Sequence, residues 1–275
     1  MAADPTDPTS RCTVMDLEVC AAVRLSPSFV RVSLAGDDLR HLTPLGADHR
    51  VRALIPVLGP VGAVPDPSLL PVTRTLTVRA VRHAGTPAAV LEVDVHLHGL
   101  TTTGAGGPLA TWALECGIGD PVTVVDAGVG ALPHPSCREV EIVADAGALP
   151  AAAGILASLS PGATGRAVLE LAHPDDRRAL THPAGVDVTW VVRRGFFDGR
   201  GGSTVVADLL SHLPRERRTR LWACAIGGAP TVAAARRHWA DAGVPAHRVA
   251  AAPHWWPETT ASPSAALSAP APVSR

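Results

Sequence analysis

The chain has 275 residues, enough for two modest domains with a core each, and its 24 basic and 25 acidic side chains leave a formal charge of -1. No global field therefore favours nucleic acid or an anionic membrane surface. Every basic residue is Arg, and Lys, Asn, Gln and Tyr do not occur, which excludes a Schiff-base lysine, a phenolic acid and any side-chain amide from the chemistry.

Residues 1–11 have no basic start and no apolar run, so they read as a flexible N-terminus rather than a signal peptide. Met15, Leu17, Val19, Ala21, Val23 and Leu25 alternate with Asp16, Glu18, Cys20, Ala22 and Arg24, the period of a strand with one buried face. Ser26-Pro27-Ser28 turns the chain into Val30, Val32 and Leu34, and Gly36-Asp37-Asp38 ends that run. Further strands are expected at 51–56, 74–81, 90–98 and 121–125. Six short strands over 12–136 imply an antiparallel β-barrel.

From 137 the rhythm changes to strand and helix in alternation. A strand at 139–144 precedes the turn Asp145-Ala146-Gly147, and an Ala-rich helix follows over 149–159 with Pro150 in its first turn, where a missing N–H costs little. A strand at 186–192 leads through Gly199-Arg200-Gly201-Gly202-Ser203 to a helix at 204–213. A strand at 221–226, the turn Gly227-Gly228 and a helix at 230–242 with Val232, Ala235 and Trp239 on one face complete the pattern. An α/β domain with a parallel sheet is expected over 137–256, with ligands beyond the carboxyl ends of its strands. Residues 257–275 read as a disordered Pro/Ala/Ser tail. Nothing resembles a membrane span. Cys12, Cys20, Cys116, Cys137 and Cys224 are odd in number, widely spaced and without CxxC, which fits a reducing cytoplasm and neither a disulfide framework nor a zinc ribbon.

On the strand at 90–98, Leu91, Val93, Val95 and Leu97 form an apolar row, leaving Glu92, Asp94, His96 and His98 as a polar row with neighbours about 7 Å apart. That spacing brings His96 and His98 within reach of one metal, but the third and fourth ligands are missing. A solvated strand face ranks above metal binding, and cofactor contact by His98 ranks above both. Gly199–Gly202 and Gly227-Gly228 each precede a helix and could meet phosphate, yet neither is a strong GxGxxG and tight turns need Gly for backbone reasons alone. No GxSxG occurs, so a nucleophile elbow is not indicated.

The ordered pieces Arg74-Thr75-Leu76-Thr77, Asp94 to His98-Gly99, and Gly107-Pro108-Leu109-Ala110-Thr111-Trp112-Ala113 resemble the siderophore-interacting protein family. These are FAD-dependent ferric-siderophore reductases related to the ferredoxin reductases, and the resemblance runs over 11–256. It implies a flavin-binding type of barrel followed by a nucleotide-binding-like α/β domain. Arg74 would pair with flavin phosphate, Thr77 would hydrogen-bond the ring, and Gly107 to Thr111 would cradle the pyrophosphate. The implied cofactor contacts are Arg74, Thr75, Leu76, Thr77, His98, Gly99, Gly107, Pro108, Ala110, Thr111 and Trp112, with no metal.

Departures from the family pattern begin on the flavin side with Leu76 and otherwise fall mainly on the hydride-donor side. Leu76 stands where the family has a stacking Tyr, leaving an apolar platform. Asp145-Ala146-Gly147 lacks a family Glu and hydroxyl, the turn near Ala225-Ile226-Gly227 lacks another Glu, and His254-Trp255-Trp256-Pro257 lacks a family cation. The expectation is a diverged flavoprotein enzyme acting on a small molecule in a biosynthetic pathway, with FAD retained and the NAD(P)H side degenerate. Thr77, Asp94, His96 and Trp255 would carry the chemistry, with Trp255 and Trp256 walling an apolar pocket. A non-redox cyclase or pericyclase using the same cleft is the alternative, and a non-catalytic siderophore binder the third reading.

Overall fold

The computed structural model describes residues 13–57, 70–98, 107–131, 133, 137–192 and 220–255. The expected helix at 204–213, Gly99, Gly199–Gly202, Trp256 and both terminal segments lie outside them.

Six strands close an antiparallel barrel: β1 (Val14–Ser26), β2 (Phe29–Ala35), β3 (Arg50–Ile55), β4 (Val72–Arg82), β5 (Val90–His96) and β6 (Pro121–Asp126), in the order β1-β2-β5-β4-β3-β6. Strand alternation sends Met15, Leu17, Val32, Val51, Val93 and Val124 inward, where each is almost fully buried. Closure leaves no free sheet edge. Helix α1 (Pro108–Glu115) starts with Pro at its first turn and packs Ala110, Trp112 and Ala113 into the same core.

The second domain is a five-stranded parallel sheet of β7 (Glu139–Ala144), β8 (Thr164–Leu171), β9 (Gly185–Val192), β10 (Leu221–Gly228) and β11 (Val249–Trp255), ordered β11-β10-β7-β8-β9. Helix α2 (Leu149–Ser158) packs with Val140 and Ile142 of β7, whereas α3 (Ala229–Asp241) packs Val232, Ala235 and Trp239 against Val143 and Ala225. Successive β7 side chains point to opposite faces, so the two helices cover opposite sides of the sheet. Glu141 is buried on the α3 side and accepts from Trp239 Nε1 at 2.7 Å.

Sequence patterning passes over β8 and β11. In β8 the stretch Arg166-Ala167-Val168-Leu169-Glu170-Leu171 mixes charge and apolar residues without clean alternation, because Glu170 is itself buried. In β11 three alanines precede Pro253, a residue that a sheet tolerates at its edge, and β11 is an edge strand.

The domains meet through close backbone approach. A Cβ on Gly154 of α2 would lie 1.8 Å from the Ala47 carbonyl oxygen, so only glycine allows this contact. The Ala47 amide donates to Ser158 Oγ at 2.8 Å, and barrel residues Phe29 and Ala47 are buried within the core of the α/β domain.

Candidate functional site

Pairing register defines the face that the barrel turns toward the second domain. Directly opposed residues share a face, and the pairs are Phe29 with His96, Arg31 with Asp94, Arg52 with Thr75 and Arg50 with Thr77. Val78 opposes Val93 in the core, so the adjacent Thr77 and Asp94 point outward together. From the second domain Arg178, Gly147, Trp255 and His254 approach this outer face.

The polar row of β5 is therefore not a solvated face. Glu92 pairs with Arg82 at 3.0 Å. The Asp94 carboxylate is fully covered, receiving Arg31 Nε on Oδ1 at 2.8 Å and Arg178 NH1 on Oδ2 at 2.9 Å. Arg178 also lies over the Phe29 ring, 4.6 Å from its centroid, a cation–π contact that orients the guanidinium. Beside it, Asp176 accepts from Ser26 Oγ at 2.6 Å and from the Ser28 amide at 3.2 Å. Asp94 is expected from sequence to carry chemistry; both its oxygens are instead committed to arginines, and its place is in the wall between the domains.

His96 stands further along this face, its ring 5.1 Å from Phe29 and 6.2 Å from His98. A Cβ on Gly147 would lie 3.5 Å from Trp255 Nε1 and 3.6 Å from His96 Nδ1. The structure thus brings the expected residues His96 and Trp255 to one point across the domain boundary, with the glycine backbone between them. Among the described residues, no group of three or more His, Cys, Asp and Glu is arranged to hold a metal ion.

Trp255 is placed by Asp145. The Asp145 carboxyl accepts from the Ala148 amide at 3.1 Å, the Gly228 amide at 2.6 Å and Trp255 Nε1 at 3.0 Å. Burial pushes its pKa up, the two backbone amides and the indole oppose this, and Glu170 adds to it. The Trp255 ring lies over Gly228, where a Cβ would come within 2.5 Å of it.

A second buried polar group sits beside Arg50. Asp48 Oδ1 accepts from the amides of Gly130 at 2.9 Å and Ala131 at 2.8 Å, and burial raises its pKa. His254 is held mainly by burial, and secondarily by the Arg50 charge, at a pKa of about 4, so it is neutral near pH 7. His49 accepts from the Leu45 amide on Nδ1 at 3.3 Å and meets Asp126 through Nε2 at 2.9 Å, which fixes its proton on Nε2.

The expected cofactor residues divide among three places. Thr75 and Thr77 lie on the outer face. Leu76 belongs to the barrel core, 5% exposed among Val51 and Ala53, so it offers no platform to the cleft. Arg74 opposes Ala53 and donates to the Thr73 carbonyl at 3.0 Å; three residues from Thr77, it lies on the other face of β4. At α1, the exposed His98 sits against Gly107, where a Cβ would be 3.2 Å from His98 Cε1. Gly107 and Pro108 open the helix, and among the described residues no side chain caps it, leaving first-turn amides such as those of Leu109 and Ala110 without an intrahelical partner. The Thr111 amide already donates to the Gly107 carbonyl at 3.1 Å. The Ala110 and Trp112 side chains are buried in the barrel core and anchor the helix there.

Sequence reasoning passes over Asp145, Arg178, Arg50 and His254 as site residues. Asp145 had a readable signal, an acid at the end of an apolar strand followed by small residues, which is a capping pattern. Nothing local distinguishes the other three, because their partners are distant in sequence.

A closed antiparallel barrel joined to a parallel sheet, with polar residues of both converging at their boundary, is a ferredoxin-reductase-like fold. The chain belongs to the siderophore-interacting protein family: the model for the siderophore-interacting FAD-binding domain matches residues 18–131 and that for siderophore-interacting protein matches 137–258. An uncharacterised protein of Mycobacterium tuberculosis is 35% identical over 194 residues, 66% of this chain and 66% of the relative. Ferric vibriobactin reductase ViuB of Vibrio cholerae is 30% identical over 149 residues, 54% of this chain and 50% of the relative. The match thus spans about two thirds and half of these relatives' lengths. Among solved structures, the siderophore-interacting protein SipS of Aeromonas hydrophila superposes with a TM-score of 0.70 at 26% identity, covering 89% of this chain and 99% of that one. A siderophore utilization protein of T. fusca gives 0.72 at 25%, covering 90% and 94%. The ferredoxin reductase of carbazole 1,9a-dioxygenase, at 0.63 and 15% identity over 88% and 70%, shares the fold.

Proposed function

We propose that the chain binds FAD between the α1 N-terminus and the outer face of β3, β4 and β5, and acts as an FAD-dependent oxidoreductase on a small molecule. The observation that carries this reading is the start of α1 at Gly107, uncapped among the described residues, against His98 at the end of the polar row that runs through His96 into the domain boundary. The donor set fits the group: helix-start amides suit a pyrophosphate, while the Thr75 and Thr77 hydroxyls and the His98 imidazole suit the polar edge of a flavin. Bound FAD would supply the electron transfer. The chain's own residues orient and enclose it, Arg31, Arg178 and Asp94 fixing the domain spacing and Trp255 walling the cleft.

We place the nicotinamide side as altered. The Gly228 amide at the start of α3 is spent on Asp145, whose carboxyl sits where a phosphate would need positive potential, and the indole of Trp255 covers Gly228. A changed electron donor is consistent with a biosynthetic role. The test is reduction of the FAD-loaded protein under anaerobic conditions: dithionite should bleach the flavin band, and NADH or NADPH should do so slowly or not at all. Rapid bleaching by NADPH would contradict the altered donor side. Substrate conversion with the flavin left oxidised throughout would replace the redox reading with the cyclase reading.

A further inference from the structure

The crossover from β8 to β9 departs from the usual pattern of a parallel sheet. Such crossovers are commonly helices that cover the sheet face, but residues 172–184 contain only the short 3-10 turn Pro174–Asp176. Beside this loop the apolar face of β9, an edge strand among the described residues, is buried at Val186 and half-buried at Val188 and Trp190. A crevice of about 630 Å³ lies there, lined by Val186, Val188 and Trp190 from the strand and by Arg177, Leu180 and His182 from the loop. The volume falls in the range of small-molecule sites.

The loop is held in place. Asp176 is tied to Ser26, to the Ser28 amide and to the His173 amide, and Arg178 to Asp94 and Phe29. Arg177, between the two anchors, is exposed, and its guanidinium makes no hydrogen bond or ion pair among the described residues. His182 bonds through Nδ1 to the Pro183 carbonyl at 3.0 Å, so Nδ1 carries the proton and Nε2 remains directed elsewhere. Asp187 is the acidic residue of the lining, but strand alternation places it on the face opposite Val186, Val188 and Trp190. The half-buried indole of Trp190 gives the floor a π surface.

We propose that this crevice is a binding site for a planar aromatic anion, with the ring against Trp190 and Val188 and the anionic group on Arg177. An aliphatic ligand would leave the indole face unused, and a cation would meet two arginines, Arg177 and Arg178, against the single acid Asp187. Arg178 lines the crevice too, so the site adjoins the wall of the proposed flavin cleft without containing any of the residues proposed to contact FAD.

The test uses the full chain and isothermal titration with sodium 2-naphthoate and its neutral analogue 2-naphthamide. Naphthoate should bind one per chain and about tenfold more tightly than the amide, and Arg177→Glu should remove that preference while leaving amide affinity within about twofold. Prior saturation with FAD should leave naphthoate binding unchanged. Absence of naphthoate binding, equal affinity for both probes, or indifference to Arg177→Glu would overturn the assignment. Displacement by FAD would place the naphthoate in the flavin cleft and overturn it as well. Failure of FAD to bind leaves this test intact and bears on the flavin reading alone.

Discussion

Replacing Asp94 by Asn asks whether the wall between the domains is held by charge. The carboxylate side chain is 0% exposed, while its partners Arg31 and Arg178 are 29% and 23% exposed. It accepts three charge-assisted bonds, from Arg31 Nε at 2.8 Å, Arg31 NH2 at 3.1 Å and Arg178 NH1 at 2.9 Å. Asn keeps the shape, removes the charge and leaves two guanidinium groups facing each other. Breaking a fully buried pair costs about 3–5 kcal/mol, and the partial hydration of both arginines lowers the expectation to about 2–3 kcal/mol. Urea unfolding followed by tryptophan fluorescence measures this directly. A double-mutant cycle with Arg178→Met should return a coupling of about 1–3 kcal/mol, since the two residues share a contact. A loss in Asp94→Asn under about 0.5 kcal/mol, or additive behaviour in the cycle, would refute the reasoning.

His254 should make stability pH-dependent. It titrates near 6.5 in the unfolded chain and at about 4 in the folded one, so between these values the unfolded chain binds more protons, and stability is lost as pH falls through that window. With allowance for partial exposure, about 2–3 kcal/mol is at stake, and His254→Asn should flatten this part of the stability–pH curve; superimposable curves would contradict it. Gly154→Ala places a methyl 1.8 Å from the Ala47 carbonyl oxygen, and calorimetry should show a loss of about 2–3 kcal/mol as α2 and the barrel separate. Trp255→Phe removes the indole donor to Asp145 Oδ2; a loss of about 1–2 kcal/mol in urea unfolding is expected, and no loss would mean that Asp145 does not hold the ring.

The fold was legible where one strand face meets a core. Alternation in 15–19 and 91–97 matches the side chains that enter the barrel, and the Val232, Ala235 and Trp239 stripe matches the inner face of α3; in 21–25 the expected buried face is not kept, because the register shifts between Val19 and Ala21 and leaves Val23 and Leu25 55% and 39% exposed. The alternation of β5 was read with the correct faces but the wrong environment. Local sequence cannot say whether a polar row meets water or arginines, and Asp94 meets Arg31 from a neighbouring strand and Arg178 from the other domain. Leu76 went astray for a related reason. Its motif position suggested a cleft residue, whereas its pairing with Val51 turns it into the barrel. The Gly107 helix start was readable from Gly-Pro punctuation alone, but Trp112 was not separable from a ligand contact until the helix was seated on its core. The site as a whole forms from β2–β5 meeting β7, β10 and β11, a juxtaposition that no single segment encodes.

The central claim is that this barrel, with Leu76 turned inward, still holds a flavin. Titration of the purified full-length chain with FAD, followed by visible absorbance and tryptophan quenching after removal of free cofactor, tests it most directly. Retention of one FAD per chain, weakened at least about tenfold when the α1 start is blocked by Gly107→Val, is the predicted result. A chain that stays colourless and shows no saturable quenching would contradict it.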